Sequence, residues 1–200
     1  SFFAIQARNN GGYVCRQEAT PTETPAPTAT PTPVACVPTY GDMVYDYVQG
    51  TLKNGNPITD PARTNPAYAL GAPNGQFFSL GKNGYITIRF AFPIADSAGY
   101  DLSFNVYEIT NGRFSYPEER ALVSVSSDGT TFLPAGGFPA TSEPGGIGGG
   151  DGIVQIDFST TGLPSVQYIK IEDDTNYAPH NGTADGYDLD AVRGDCRVEN

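Results

Sequence analysis

The chain is predicted to be an all-β sandwich of antiparallel strands, and three observations carry that prediction. With 24 Gly, 17 Pro, no Trp and only 16% charged residues in 200, the composition favours short strands joined by turns over long helices. Apolar residues recur with period 2 in several separated segments, as strands with one buried face require. No long stretch repeats them at helical spacing, so helices should be few and short.

In chain order, residues 1–19 form an N-terminal extended segment with an apolar start at Phe2, Phe3 and Ile5, an Asn9-Asn10-Gly11-Gly12 turn signal and Cys15. Residues 20–36 are a Thr/Pro-rich linker, in which fixed φ angles and missing amide donors forbid helix or ladder. Such a segment runs extended at about 3.1 Å per residue and reads as an O-glycosylated stalk. Residues 37–196 hold the sandwich, long enough for a real core, and residues 197–200 are a tail.

Within that domain, Ile86, Ile88, Phe90 and Phe92 share one face of a strand over 85–92. Leu102, Phe104 and Val106 share a face of the next. Further strands are expected over 121–126, 152–158 and 166–172, each bounded by Gly, Pro, Asn or Asp. Ser127-Asp128-Gly129-Thr130 signals a hairpin with a tight primed turn, since Asp-Gly tolerates positive φ. The glycine run 145–152 lacks a following Gly-Lys-Ser/Thr and reads as a flexible loop. The lone His180 sits in a segment with loop composition and is expected to be exposed.

The charges exclude some functions. Eleven basic against 22 acidic side chains give a net charge of −11, which phosphate backbones and anionic lipid would repel, so neither nucleic acid nor membrane is an expected partner. No apolar run approaches the roughly 20 residues a membrane span needs. The first residue, Ser1, reads as the start of a processed, exported product.

Three cysteines stand outside the strands. Cys36 and Cys196 bracket the domain, and because domain termini often lie close, a disulfide between them is reasonable and agrees with a secreted chain. Cys15 is then left over and suggests a bond to another chain; a free thiol or a different pairing is the alternative.

Alternation places Glu108 on the inward side after Val106, where a lone carboxylate needs a cation or a hydrogen-bond cage. Asp188 and Asp190, two residues apart, project from one face, while Tyr187, Leu189 and Ala191 take the other. Hard oxygen ligands without clustered His or Cys fit a structural Ca²⁺; the alternative is an acidic solvated rim of turn residues.

Asn65-Pro66-Ala67-Tyr68-Ala69-Leu70-Gly71-Ala72-Pro73-Asn74-Gly75, Phe78-Ser79-Leu80-Gly81, Gly84 to Phe90, Tyr100 to Glu108, Val123 to Phe132 and Asp185 to Val192 occur in that order. Together they resemble bacterial cell-surface modules of the galactose-binding-like jelly-roll class over roughly residues 40–194. The resemblance implies a jelly-roll sandwich, often with a structural calcium, used as a non-catalytic binding or display module. Asp101, Glu108, Asp188 and Asp190 match its recurring acidic positions. The chain departs from sugar-binding members in having no Trp.

Two functions follow as expectations. In the first, the protein is a non-enzymatic extracellular subunit of a surface filament or sheath, a homo-polymer in which Phe2, Phe3 and Ile5 complete a neighbour's sheet and Cys15 locks the junction. In the alternative, it is a carbohydrate-binding or adhesive surface module with a glycan as partner. No convergent set of acid, base and nucleophile suggests an enzyme. Tyr40, Tyr45 and Tyr47 cluster ahead of the first motif and are expected in core or interface, with sugar stacking the other reading.

Overall fold

Ile86, Ile88 and Phe90 are fully buried along the long strand Tyr85–Ala95, so the period-2 reading of this segment describes its inward face. In this computed structural model the described residues are 36–97, 99–106, 117, 119–138, 146–148 and 152–198, and they belong to one compact unit, Ala35–Asn200. Phe2, Phe3, Ile5, Cys15, nearly all of the linker and Glu108 lie outside them.

In chain order the strands are β1 (Thr39–Tyr40), β2 (Met43–Val48), β3 (Phe78–Ser79), β4 (Tyr85–Ala95), β5 (Leu102–Val106) and β6 (Arg120–Ser126). There follow β7 (Leu133–Pro134), β8 (Gly136–Phe138), β9 (Gly146–Gly148), β10 (Gly152–Asp157), β11 (Ser165–Asp173) and β12 (Asp188–Gly194). Two 3₁₀ turns, Pro66–Ala69 and Ser159–Thr161, are the helical elements among the described residues. One sheet runs β1-β12-β5-β10-β8, with β3 also on β12; the other runs β2-β4-β11-β6-β7, with β9 also on β6. Every pairing between these strands is antiparallel, and the fold is a jelly-roll sandwich.

The two sheets bury their facing side chains against each other. Ile86, Ile88, Phe90, Val123, Val125, Ile169 and Ile171 of one sheet belong to the same core as Leu102, Val154, Ile156, Leu189 and Val192 of the other. Each fully buried Ile or Leu stabilises the fold by about 1.5–3 kcal/mol relative to an exposed one.

Bulges interrupt the alternation and explain where the sequence reading departs from the fold. Between β4 and β11 the register jumps from Val166 opposite Ile94 to Tyr168 opposite Arg89. Four residues of β4 therefore face only Gln167, whose side chain donates to the Phe90 carbonyl at 3.0 Å. Phe92 lies in this stretch and is 40% exposed rather than inward, with the Arg197 guanidinium 5.0 Å from its ring centre. On β11 the same irregularity moves the buried series from Val166 to Ile169 and Ile171.

The hairpin between β6 and β7 forms, but through a longer loop than a tight primed turn. Gly129 has φ +75° while Asp128 does not take a positive φ. The Asp128 carboxylate instead accepts the N–H groups of Thr130 at 2.8 Å and Thr131 at 2.9 Å, and the Ser126 hydroxyl accepts that of Gly129 at 2.9 Å.

Cys36 and Cys196 are joined by a disulfide that spans 160 residues with Cα atoms 4.4 Å apart. Residues beyond it still take part in the fold: Arg197 donates its N–H to Val37 at 3.1 Å and Val198 to Pro93 at 2.7 Å.

Candidate functional site

The margin of the second sheet, at β2, lines a groove. Among the described residues β2 pairs only with β4, and five of its six residues are exposed. Here again a bulge sets the side-chain directions. Val44 lies opposite Ile88 and Asp46 opposite Thr87, leaving Tyr45 as the extra residue. Tyr45 accordingly meets Tyr168, ring centres 4.9 Å apart in an edge-to-face arrangement, while Asp46 accepts the Tyr85 hydroxyl at 2.7 Å. That bond, more than burial and the Asp46 charge, raises the Tyr85 pKa. Tyr47 turns the other way and packs edge-on to the buried Phe78 at 5.8 Å.

Opposite β2, the turn Pro66–Ala69 forms the far wall of a groove of 490 Å³. Asn65 caps this turn by accepting the Ala67 N–H at 3.1 Å, and Pro66 supplies the φ its first position needs. Asp42, Met43, Tyr45, Asp46 and Tyr47 line one side, and Pro66, Ala67 and Leu70 the other. Tyr45 and Tyr47, 47% and 44% exposed, thus leave the strand on opposite sides, Tyr45 alongside Asp46 and Tyr47 against the buried Phe78. These are the tyrosines for which the sequence favoured core or interface. The signal that could have placed them was their position on a strand whose polar and apolar residues do not alternate, as expected at a sheet margin.

The predicted acidic residues separate in space. β12 and β5 are antiparallel, with Leu102 opposite Gly194 and Val106 opposite Leu189. Asp101 therefore lies at the opposite end of this pair from Asp188, while Glu108 lies outside the described residues. Asp101 is buried and accepts the N–H and hydroxyl of Ser97 through one oxygen, at 2.8 and 3.0 Å, and the Phe158 N–H through the other at 3.2 Å. Burial raises its pKa against the pull of these bonds.

Asp188 and Asp190 do not share a face as the alternation implied, because a bulge between Leu189 and Ala191 displaces Asp190. Asp190 accepts the N–H groups of Asn74 at 3.2 Å and Gly75 at 3.1 Å, fixing the 70s loop on β12. Asp188 and Asp185 instead flank Arg63, whose Nη1 lies 3.5 and 2.6 Å from their carboxylates. Burial disfavours the guanidinium charge, but Asp185 and Asp188 outweigh it and its pKa is raised. Gln49 fastens the same loop by donating to the carbonyls of Arg63 and Ser79, both at 2.9 Å. Arg63, which neutralises two of these carboxylates, was not singled out in the sequence because its partners lie 122 and 125 residues away. Among the described residues no group of three or more His, Cys, Asp or Glu side chains is placed to hold a metal ion.

A second buried polar group lies under the 173–187 loop. Asp173 accepts Thr175 Oγ1 at 2.7 Å, the Tyr177 hydroxyl at 2.9 Å and the Tyr187 N–H at 3.2 Å. Burial raises the pKa of both Asp173 and Tyr177. His180, expected to be exposed, is 5% accessible, with Nδ1 3.8 Å from the buried Glu119 carboxylate. Its loop folds inward because Lys53 donates to the His180 carbonyl at 2.6 Å.

No family model matches the chain, and no curated protein matches it. Among solved structures it is similar to "Truncated AlyQ with CBM32 and alginate lyase domains", at 14% identity and TM-score 0.46, over 82% of this chain and 35% of that one. The chain thus spans about a third of that protein's length. None of the described helical elements is long and apolar enough to cross a membrane.

Proposed function

We propose that this protein is a non-enzymatic, extracellular glycan-binding or adhesive module whose ligand lies in the groove between β2 and the Pro66–Ala69 turn. The observation that carries the reading is Tyr45, held by its edge-to-face contact with Tyr168 yet 47% exposed on the strand that lines the groove. A rigid aromatic ring beside hydrogen-bonding carboxylates suits a sugar, which offers apolar C–H faces and a rim of hydroxyls. The groove's volume of 490 Å³ falls within the range of small-ligand clefts. The disulfide supports an oxidising compartment, and the Thr/Pro-rich linker supports a module held off a surface.

A glycan array followed by titration calorimetry tests the reading. Tyr45→Ala should weaken the best glycan about tenfold or more while costing about 1 kcal/mol of stability, the worth of its contact with Tyr168, so that the chain stays folded. Absence of any glycan binding, or equal binding by Tyr45→Ala, overturns it.

The edge of β2 that no described strand pairs favours a second reading, in which residues 1–14 of another copy add a strand there and build a surface filament or sheath. Electron microscopy of a chain lacking residues 1–14 tests it; polymers that persist without that segment exclude strand donation.

A further inference from the structure

We infer that Asn181 is a self-modifying site, at which the backbone nitrogen of Gly182 closes onto the side-chain carboxamide, expels ammonia and leaves aspartate or isoaspartate once water opens the ring. The site lies apart from the proposed glycan groove and does not depend on that reading. Every Asn-Gly pair carries the elements of this reaction, because glycine has no Cβ to keep its nitrogen from the preceding side chain. Four such pairs lie among the described residues, at Asn54, Asn74, Asn83 and Asn181, and the fold treats them differently. The Gly55 N–H is donated to the Leu52 carbonyl at 2.9 Å, that of Gly75 to the Asp190 carboxylate at 3.1 Å, and that of Gly84 to the Gly81 carbonyl at 2.9 Å. Each of these nitrogens must give up a hydrogen bond before it can attack, and Gly84 is buried besides. Gly182 is exposed and, among the described residues, its N–H donates to nothing.

The other half of the site is the carbonyl under attack. Asn181 Oδ1 accepts the Thr183 N–H at 3.0 Å and the Thr183 hydroxyl at 2.9 Å. Both donors already face the oxygen on which negative charge develops as the ring closes, and donors so placed stabilise a tetrahedral intermediate. Asn54 and Asn74 each receive one such N–H, from Asn56 at 2.9 Å and Gln76 at 2.8 Å. The bond from Gly182 N to Asn181 Cγ forms as that nitrogen loses its proton to water. The Cγ–Nδ2 bond then breaks, and Nδ2 takes up a proton and leaves as ammonia. Water adds to either carbonyl of the cyclic imide, so one water enters, one ammonia departs, and nothing is oxidised or reduced. Opening at one carbonyl gives aspartate; opening at the other routes the main chain through the side chain. The turn so altered is the one whose Gly182 carbonyl accepts the Asn54 N–H at 3.0 Å and whose Ala184 carbonyl accepts that of Lys53 at 2.8 Å.

The test holds the full chain at pH 8 and 37 °C for days, digests samples at acid pH, and maps them by mass spectrometry with fragmentation that separates isoaspartate from aspartate. Asn181 should convert about fivefold or more faster than Asn54, Asn74 and Asn83, the factor that one net hydrogen bond is worth, with both products present. In concentrated urea with the disulfide reduced, the four rates should come within about twofold, since the bonds that hold the other three nitrogens are gone. Thr183→Val, which keeps the N–H and removes the hydroxyl, should slow Asn181 about twofold or more and leave the other three unchanged. Conversion of Asn54, Asn74 or Asn83 as fast as Asn181 in the folded chain overturns the assignment, as does an Asn181 that stays intact. The same ranking in urea as in the folded chain assigns the preference to local sequence and also overturns it. A parental rate in Thr183→Val overturns the part given to its hydroxyl. A glycan carried on Asn181, the acceptor position of Asn181-Gly182-Thr183, would occupy Nδ2 and overturn the proposal in favour of glycosylation.

Discussion

The Asp101 carboxylate accepts the backbone N–H of Phe158, 3.2 Å away and 57 residues along the chain. Its other oxygen holds Ser97, so one buried side chain ties the approach to β5 to the turn after β10. Asp101→Asn keeps the shape but presents N–H₂ to one set of N–H donors. It should cost about 1–3 kcal/mol, the penalty of a buried polar group left without its partner. Urea denaturation measures it, and a midpoint equal to the parent's would show that the carboxylate is not needed there.

Stability should rise on mild acidification and fall on strong acidification. Burial raises the pKa of Asp101 and of Asp173 in the folded chain. Each therefore takes up its proton before the unfolded chain does, and folding gains as pH drops from 7 towards the ordinary carboxylate range near ~4. Asp128 has the opposite sign. The N–H groups of Thr131 and Thr130 hold its pKa well below that range, so its contribution is present above ~4 and is lost as pH falls further. Urea midpoints from pH 3 to 7 should peak between the ends; a midpoint highest at pH 7 would contradict the assignment.

Removing the disulfide should destabilise the domain strongly. It closes 160 residues of chain, for which loop-closure entropy gives about 5 kcal/mol. Cys36→Ser with Cys196→Ser should lower the thermal midpoint by well over 10 °C. Calorimetry of the parent with and without reductant checks the same quantity; a shift of only a degree or two would mean that the unfolded chain is not loosened by its loss.

Gly186→Ala should be costly out of proportion to one methyl. Gly186 has φ +74°, and an added Cβ would meet the Tyr177 hydroxyl and, at 2.6 Å, Asp173 Oδ1. Strain plus overpacking at this hydrogen-bonded trio should cost about 2 kcal/mol or more. Gly162→Ala, at φ +72° with open space around it, separates the two terms because it carries the strain alone.

Much of the sandwich was legible because burial imposes period 2. Ile86, Ile88 and Phe90 announce an inward face without reference to anything distant. The alternation breaks at Phe92, Asp190 and Tyr45, each at an irregularity in strand pairing, since one extra residue reverses direction and composition does not encode where it falls. The acidic positions show a second limit. Asp101 and Asp188 look alike in sequence, yet the antiparallel register of β5 and β12 sends them to opposite ends. The groove needed both β2 and the Pro66–Ala69 turn, and nothing local to either says that they face each other.

The bridge between Cys36 and Cys196 also decides how the protein carries tension. With Cα atoms 4.4 Å apart, the chain enters and leaves the sandwich at one point. A pull between the linker and the residues after Cys196 runs through the covalent sulfur link and bypasses both sheets. Load applied instead between the β2 edge and Cys36 would cross the sheets themselves and be resisted by their hydrogen-bonded strands rather than by the sulfur link.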